Sequence, residues 1–236
     1  MGCNTTKISK NEEIKTDDTK NKKVNKKQEA SKDKNIMIIF YSMYGHVEKL
    51  AREILNGVNS VAGLRGELWA VEETMPKDVL EKMGAATVPK DINILTRDKI
   101  DQMKTADGFL FGMPTRFGAM PAQMKNFWDA TGQLWQTGGL VNKPAGLFFS
   151  TATQGGGQET TAWTAITQLT HHGMLFVPVG YSFGSELFDI NNLRGGSPYG
   201  TGTYSGADGK RFPSELELRM AKHQGTYFAN FVKRIK

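Results

Sequence analysis

The sequence has little cysteine and no long apolar run. Its 236 residues include one cysteine, Cys3, which excludes an intrachain disulfide and a zinc site built from cysteines. No stretch approaches the roughly 18 to 20 apolar residues of a membrane-spanning helix, and the mean hydropathy is −0.43. A domain of about 200 residues buries enough surface to fold without a disulfide or a structural metal. No metal site is predicted.

Two phosphate-binding fingerprints are also missing. The chain has no glycine-rich P-loop ending in lysine, which argues against a Walker-type nucleotide site. It has no G-x-G-x-x-G after its first strand, which argues against a Rossmann dinucleotide site.

The positive charge is concentrated at the N-terminus. The chain carries a formal net charge of +6, of which residues 1–34 hold +4 and the rest +2. A nucleic-acid partner is therefore not predicted, because the basic excess does not belong to the folded part.

Residues 1–34 form a tail without aromatic residues and with few apolar ones. Such a segment cannot bury enough surface to offset its ordering entropy, so we predict that it is disordered. It also lacks the apolar core of a secretory signal. We expect the folded domain to occupy residues 35–236.

The first six residues match the N-myristoylation pattern, with Gly2 as the acceptor and Cys3 as a neighbouring palmitoylation site. A polybasic patch follows, and it would strengthen attachment to anionic lipids. The patch consists of Lys20, Lys22, Lys23, Lys26 and Lys27. The prediction is a cytoplasmic protein anchored to the cytosolic face of a membrane such as the plasma membrane. The alternative is an unmodified, solvated tail.

The body of the chain alternates between strands and helices. Short apolar runs predict five strands, at residues 36–41, 67–71, 108–112, 145–150 and 174–179. Helical spacing of apolar residues separates them, as in Val47, Leu50, Ala51 and Ile54. This alternation predicts an open, doubly wound parallel α/β sheet in three layers, with ligands bound at the carboxyl ends of the strands.

Residues 181–212 are rich in Gly, Ser and Tyr and show little periodicity. A loop this long within a compact domain is usually functional or interfacial. Several of its apolar side chains would be costly to leave in water, so we expect an ordered flap at an oligomer interface or active site. These side chains are Phe183, Leu187, Phe188, Ile190 and Tyr199.

The loops after the first, third and fourth strands suggest a flavin site. Residues 42–47 lie between a strand and a helix, where free N–H groups and the helix dipole favour a phosphate. Residues 115–117 and 150–156 follow the neighbouring strands and offer backbone donors, hydroxyls and an aromatic ring to a planar heterocycle. A monophosphate at one end and a flat ring at the other describe flavin mononucleotide (FMN).

Five sequence blocks give the chain a family resemblance. They are YSMYGHVEKLA (41–51), GMPTRFGAMPAQMKNFWDATG (112–132), STATQGGGQETT (150–161), HHGMLFVPVGY (171–181) and RGGSPYGTGTYSG (194–206). In this order they resemble the WrbA-type NAD(P)H:quinone oxidoreductases of flavodoxin-like fold, close to the plant quinone reductases, over roughly residues 36–235. The tail is a departure from typical members.

The resemblance implies a set of site residues. The cofactor-binding residues it implies are Ser42, Met43, Tyr44, Gly45, His46, Val47, Pro114, Thr115, Arg116, Phe117, Gly118, Ser150, Thr151, Ala152, Thr153, Gln154, Gly155, Gly156 and His171. Tyr44 would also meet NAD(P)H, and Trp135 would form the wall on which nicotinamide and quinone stack in turn. His171 would close the pocket and is a candidate proton relay. Members are typically homotetrameric, with pockets built between subunits, so a homotetramer or a dimer is expected.

The implied reaction is a ping-pong transfer of two electrons from NADH or NADPH through FMN to a quinone, giving the hydroquinone. It would avoid semiquinones and thereby protect against oxidative stress. Two alternatives stay open at this point. One is a non-catalytic, membrane-tethered flavoprotein scaffold or redox sensor, and the other is a one-electron carrier of the flavodoxin type.

Overall fold

The apolar run that opens the body of the chain forms the central strand of the sheet, β1 (Lys34–Phe40). The computed structural model describes residues 33–235. The predictions of a disordered tail and of acylation at Gly2 and Cys3 therefore lie outside the described residues. The predicted start of the domain at residue 35 falls one residue after the start of β1.

Across residues 33–235, seven strands form one sheet in which every pairing is parallel. Besides β1, they are β2 (Leu64–Val71), β3 (Asn93–Leu95), β4 (Gly108–Pro114), β5 (Pro144–Thr151), β6 (Leu175–Phe176) and β7 (Gly202–Tyr204). Their order is β3-β2-β1-β4-β5-β6, and β7 also pairs with β5. The doubly wound parallel sheet is confirmed, with seven strands rather than the predicted five.

The two additional strands lie at the edges of the sheet. The three-residue β3 pairs with the end of β2. β6 pairs with Pro144 and Ala145 at the start of β5, whereas β7 pairs with residues 149–151 at its end. β6 and β7 lie along the same edge of β5. The place in the sheet expected for one fifth strand is therefore filled by two short strands, one after the other. The chain between them forms most of the 181–212 segment.

In the described part of the chain, six α-helices surround the sheet. They are α1 (His46–Asn59), α2 (Lys77–Met83), α3 (Ala122–Ala130), α4 (Gly132–Gln136), α5 (Gln158–His171) and α6 (Glu215–Arg234). Short 3₁₀ helices occupy Arg97–Thr105 and Ser185–Phe188. Within residues 33–235, no helix combines the length and the apolarity that crossing a membrane requires.

Two apolar cores, one on each face of the sheet, make the three layers. Ile36 and Ile38 of β1 pack with α1 and α6, while Met37 and Ile39 point to the other face and pack with α3 and α5. Side chains alternate across a strand, so one run of apolar residues serves both cores. The predicted three-layer arrangement is therefore confirmed.

Helices α1 and α6 approach each other at two glycines. A Cβ atom on Gly57 would lie 2.0 Å from the carbonyl oxygen of Lys222, and one on Gly225 would lie 2.1 Å from that of Ile54. Both distances are far below any real contact, so the helices can cross this closely only because both positions lack a side chain.

Three buried polar side chains fasten the 181–212 segment to the domain. The Glu217 carboxylate accepts hydrogen bonds from the Gly195 N–H, the Thr203 hydroxyl and the Arg211 guanidinium. Gln158 donates to the Thr203 carbonyl, and Gln224 bonds the Thr201 N–H and the Leu147 carbonyl. Buried hydrogen bonds therefore order this segment, whereas Phe188 and Ile190, two of the apolar side chains expected to need cover, are exposed.

Candidate functional site

A cleft of about 580 Å³ opens at the carboxyl ends of β1, β4 and β5. It lies beside the switch point between β1 and β4, where ligands of open α/β sheets bind. Its lining comes from loops that follow these strands, from α2 and from the 181–212 segment. The lining residues are Ser42, Met43, Tyr44, His46, Val47, Met83, Pro114, Thr115, Arg116, Ser150, Thr151, Ala152, Thr153, Gly156, Ser205, Gly206, Ala207, Asp208 and Gly209.

The first wall is the turn between β1 and α1. Gly45 precedes the helix with a φ of 86°, a left-handed conformation that favours glycine. Among the described residues, none accepts a hydrogen bond from the backbone N–H groups of residues 44–47. The Ser42 hydroxyl accepts a bond from the Glu48 N–H at 3.2 Å, which leaves its proton available to a ligand. These donors at a helix N-terminus form a site suited to a phosphate.

His46 and Phe212 close the back of this turn. Their rings stack with centroids 4.9 Å apart, and Lys49 Nζ lies 4.8 Å from the centre of the Phe212 ring. Burial lowers the pKa of His46 below its ordinary value, so the imidazole is neutral at pH 7. The donors of this turn are therefore backbone N–H groups and a hydroxyl rather than an imidazolium.

The second wall is a tight turn after β4. Arg116 and Ala119 exchange two backbone hydrogen bonds, at 2.7 and 3.0 Å, around Phe117 and Gly118. Phe117 has a φ of 54°, which is rare for a residue with a side chain, and its ring is fully exposed. Backbone strain and an exposed ring beside a cleft are features of ligand contacts.

The third wall follows β5 and packs tightly against the second. A Cβ atom on Gly157 would lie 3.0 Å from the Cα of Gly118, so a side chain would separate the two turns. The Thr161 hydroxyl donates to the Gly157 carbonyl, so the Thr115 hydroxyl, 2.6 Å away, donates to Thr161. The two turns thus form one rigid edge.

A carboxylate fixes the far side of the second wall. Glu73 accepts hydrogen bonds from Tyr41 Oη at 2.8 Å, from Gln123 Nε2 at 2.7 Å and from the N–H groups of Thr74 and Met75. Burial alone would raise the pKa of Glu73, but these hydrogen bonds hold it below its ordinary value. Burial and the Glu73 carboxylate raise the pKa of Tyr41. The network therefore joins β1, β2 and the start of α3 with a charged carboxylate and a neutral phenol.

Thirteen of the predicted cofactor residues line the cleft. Five others, Gly45, Phe117, Gly118, Gln154 and Gly155, belong to the same turns without lining it. The prediction missed Met83 of α2 and residues 205–209. The glycine-rich character of the 181–212 segment was the available signal for residues 205–209, but it did not indicate which part of that segment reaches the cleft.

His171 and Trp135 do not line the cleft of their own chain. His171 ends α5, about 20 Å along the helix from its cleft-side start at the usual rise per residue. Trp135 lies near His171 at the amino edge of the sheet, as two contacts of Thr131 show. The Trp135 backbone N–H donates to the Thr131 carbonyl, and the Thr131 hydroxyl lies 2.8 Å from Nε2 of His172, the neighbour of His171. Neither side chain reaches the cleft of its own subunit, so their role in a pocket built between subunits stays a prediction.

The chain matches the model of the family described as NADPH-dependent FMN reductase over residues 18–187. It is 56% identical over 202 residues to the quinone-oxidoreductase QR2 of Triphysaria versicolor, covering 85% of this chain and 96% of that protein. It is also 56% identical to a probable NAD(P)H dehydrogenase (quinone), FQR1-like 2, of Arabidopsis thaliana, covering 85% of this chain and 72% of that protein. It is 46% identical to an NAD(P)H dehydrogenase (quinone) of Solidesulfovibrio magneticus, covering 86% of this chain and 99% of that protein.

Solved structures agree on the fold. A WrbA-like flavodoxin from Agrobacterium tumefaciens superimposes with a TM-score of 0.59 at 21% identity, covering 86% of this chain and 99% of that one. A flavodoxin from the domain Archaea gives a TM-score of 0.52 at 15% identity, covering 85% and 99%. The chain therefore belongs to the NADPH-dependent FMN reductase family, among the WrbA-type NAD(P)H:quinone oxidoreductases of flavodoxin-like fold.

Proposed function

We propose that this chain reduces quinones to hydroquinones with NAD(P)H as electron donor and FMN as cofactor, and that the cleft is the FMN site. The observation that carries the proposal is the row of backbone N–H groups at residues 44–47, which have no acceptor within residues 33–235, beside the Ser42 hydroxyl at the switch point of the sheet. The names of the relatives support an oxidoreductase that uses NAD(P)H and a quinone.

The described residues fit FMN. Ser42 and residues 44–47 would hold its phosphate, while the turns at 115–117 and 150–156 would hold its ring system. When bound, FMN supplies two-electron redox chemistry between NAD(P)H and a quinone. The rigid edge made by Gly118 and Gly157 keeps the ring-side donors in place before the cofactor arrives, so little reorganisation is needed on binding.

The remaining opening of the cleft suits a co-substrate. Tyr44 is partly exposed at its mouth, where a nicotinamide or a quinone ring would meet it. Because donor and acceptor would use this one opening, they would enter in turn, which gives ping-pong order. A scaffold or a one-electron carrier would need no such shared opening, and neither alternative is favoured by the relatives.

The test is the visible spectrum of the purified protein. Flavin bands that bleach with anaerobic NADH and return with benzoquinone would support the proposal, whereas bands that never bleach would contradict it. Gly45→Ala should lower FMN occupancy because the phosphate turn requires a φ of 86°. Gly63→Ala is the matched control: Gly63 has a φ of 82° and open space around it, in a turn outside the cleft.

We further propose that the active enzyme is a homo-oligomer, a homotetramer or a dimer, in which Trp135 and His171 serve the cleft of a neighbouring copy. Trp135 is 60% exposed, and both residues lie at the edge of the sheet remote from their own cleft. Tyr181 and Phe188 stack in an exposed apolar patch of the 181–212 segment, 61% and 68% exposed, which a second copy would cover.

Mixing inactive subunits tests this arrangement. Trp135→Ala subunits should keep FMN but lose quinone turnover, and Gly45→Ala subunits should lose FMN. If Trp135 acts across an interface, a mixture of the two would contain intact sites and regain activity. Activity that stays at the level of the separate variants, or a monomer by light scattering, would contradict the proposal.

The N-terminal proposal rests on the sequence of residues 1–34. An acylated Gly2, with Cys3 and the lysine patch, would hold the enzyme at the cytosolic face of a membrane. Mass spectrometry of native protein tests the modification directly, and an unmodified Gly2 would end the idea. Deletion of residues 2–32, which spares Lys34 at the start of β1, should leave flavin content and turnover unchanged while releasing the protein from the membrane fraction.

A further inference from the structure

A second cavity of about 470 Å³ lies beside the cleft, between the carboxyl ends of β1 and β2 and the chain from 77 to 94. Its walls are mainly apolar and include Phe40, Leu80, Val88, Ile92 and Ile94. Cavities that hold small molecules typically measure roughly 300 to 1,000 Å³ and have mostly apolar walls with few polar groups. In size and character this cavity therefore matches small-molecule sites, and the FMN proposal makes no use of it.

The cavity and the cleft are neighbours. Ser42 and Met43 line both of them. Helix α2 also lies between the two spaces. Met83 at its end lines the cleft, and Leu80, one turn earlier, lines the cavity. A molecule bound at the mouth of the cleft could therefore extend a substituent past α2 into the cavity.

Helix α2 covers this space as a lid. None of its residues is buried. The chain after it is fastened by a hydrogen bond of 2.8 Å from the Ala86 N–H to the Met43 carbonyl, and by a two-point ion pair between Arg52 and Asp91 at 2.8 and 3.1 Å. Val79 and Leu80 are half-buried and the other residues of α2 are exposed, so this helix loses little packing when it moves to admit a ligand beneath it.

The charges at the rim select the kind of ligand. Glu48, Glu72, Glu73 and Glu81 line the cavity together with one cation, Lys77. Arg52 pairs with Glu48 and Lys77 lies 3.8 Å from Glu81, so Glu72 and Glu73 supply the excess negative charge. This excess repels phosphates and carboxylates, so neither FMN nor the dinucleotide cofactor fits here. A neutral, apolar group matches both the walls and the rim.

We propose that this cavity binds the apolar side chain of the quinone substrate, a short prenyl chain, while the quinone ring lies at the mouth of the cleft. The inference rests on the proposed function and adds to it a substrate class, quinones carrying a hydrocarbon tail. Each buried CH₂ group contributes favourably to binding, so a tail in the cavity raises the affinity of the whole substrate.

The test compares two quinones with one head group: 2,3-dimethoxy-5-methyl-1,4-benzoquinone, without a tail and with a single prenyl unit. The holoenzyme should use the prenylated compound with a kcat/KM about tenfold higher. Ala85→Phe, which fills the cavity, should bring the two values together without changing turnover of the tail-less quinone. Ala62→Phe is the matched control, since Ala62 is exposed and lines neither space, and it should keep the tenfold difference.

A binding measurement separates this proposal from the proposed function. Titration calorimetry of the oxidised holoenzyme with geraniol, a tail without a quinone ring, should detect binding to the wild type and not to Ala85→Phe. Val88→Phe fills the same cavity and replaces Ala85→Phe if that variant does not fold. Turnover of both quinones at equal kcat/KM, with no geraniol binding, overturns the cavity proposal alone. Turnover of neither quinone overturns the proposed function, and with it the quinone assignment, even if geraniol binds.

Discussion

The ring of Phe212 stacks on the imidazole of His46, with planes inclined by only 17°. The contact joins the end of the 181–212 segment to the first residue of α1, more than 160 positions earlier in the chain. The phosphate turn and the wall made by residues 205–209 are therefore mechanically connected. A change in one of them is expected to alter the other.

Phe212→Ala should weaken FMN binding without unfolding the protein. An aromatic pair of this kind is worth about 1 kcal/mol, which corresponds to roughly a fivefold higher Kd for FMN. Fluorescence titration of apoprotein with FMN measures this change. Phe212→Tyr keeps the stacked ring and should restore the wild-type Kd; an equal loss in both variants would contradict the role of stacking.

Glu217→Ala should strongly destabilise the fold. The Glu217 side chain is completely buried and pairs with Arg211 while also accepting bonds from Gly195, Thr203 and Ser214. Removing one partner of a buried ion pair typically costs about 3 to 5 kcal/mol in the free energy of unfolding. Denaturant unfolding checks the value. Glu215→Ala is the control. Glu215 is the first residue of α6 and its carboxylate is exposed, so this substitution should change the free energy of unfolding by no more than about 0.5 kcal/mol.

Gly225→Ala should force α1 and α6 apart. The new methyl group would lie 2.1 Å from the Ile54 carbonyl oxygen, and backbone atoms cannot yield as a flexible side chain can. We expect a loss of about 3 kcal/mol or more in the free energy of unfolding, at the upper end for overpacking. Gly132→Ala provides the contrast. Gly132 lies in α4 with open space around its Cα, so alanine there should stabilise by up to about 1 kcal/mol. Similar effects of the two substitutions would contradict the close helix crossing.

Acidification below about pH 6.5 should destabilise the protein through its histidines. Burial lowers the pKa values of His46, His172 and His223 from the ordinary 6.5. Between 6.5 and the lowered values the unfolded chain binds more protons than the folded one, so the free energy of unfolding falls as the pH falls. Above 6.5 both states are neutral at these positions and the effect vanishes.

His172→Gln isolates one of these contributions. Glutamine can still bond the Thr131 hydroxyl but does not titrate. Denaturant unfolding at pH 7.5 and pH 5.5 should give a smaller difference for this variant than for the wild type. An equal difference would mean that His172 does not contribute to the acid sensitivity.

The sheet and most of the cleft could be predicted because each depends on local patterns. The uninterrupted apolar run of β1 can only be buried on both faces, and the residues that follow such a strand must lie at its carboxyl edge. This reasoning placed residues 42–47, 115–117 and 150–156 at one site, and the structure brings most of them together around the cleft.

The remaining parts depend on contacts between distant residues. Met83 lies on a helix without a buried face, so its sequence carries no signal of what it lines. The division of the fifth strand position follows from the Gln158, Glu217 and Gln224 bonds, which link residues far apart in the chain. Trp135 and His171 were assigned by resemblance and lie at the edge of the sheet remote from their own cleft, so their role in a pocket between subunits stays a prediction.

Because β6 and β7 share one edge of β5, the chain between them leaves and returns to the same strand. The cleft wall at residues 205–209 follows directly after β7, so together with the chain between β6 and β7 it forms one contiguous stretch that can be lengthened, shortened or exchanged on either side of β7 without altering the strand order or the crossovers. A flavoprotein of this architecture could evolve from an open cofactor site to an enclosed one by changing a single contiguous stretch of its gene. For protein engineering, that stretch is a natural cassette for altering which substrates reach the cleft.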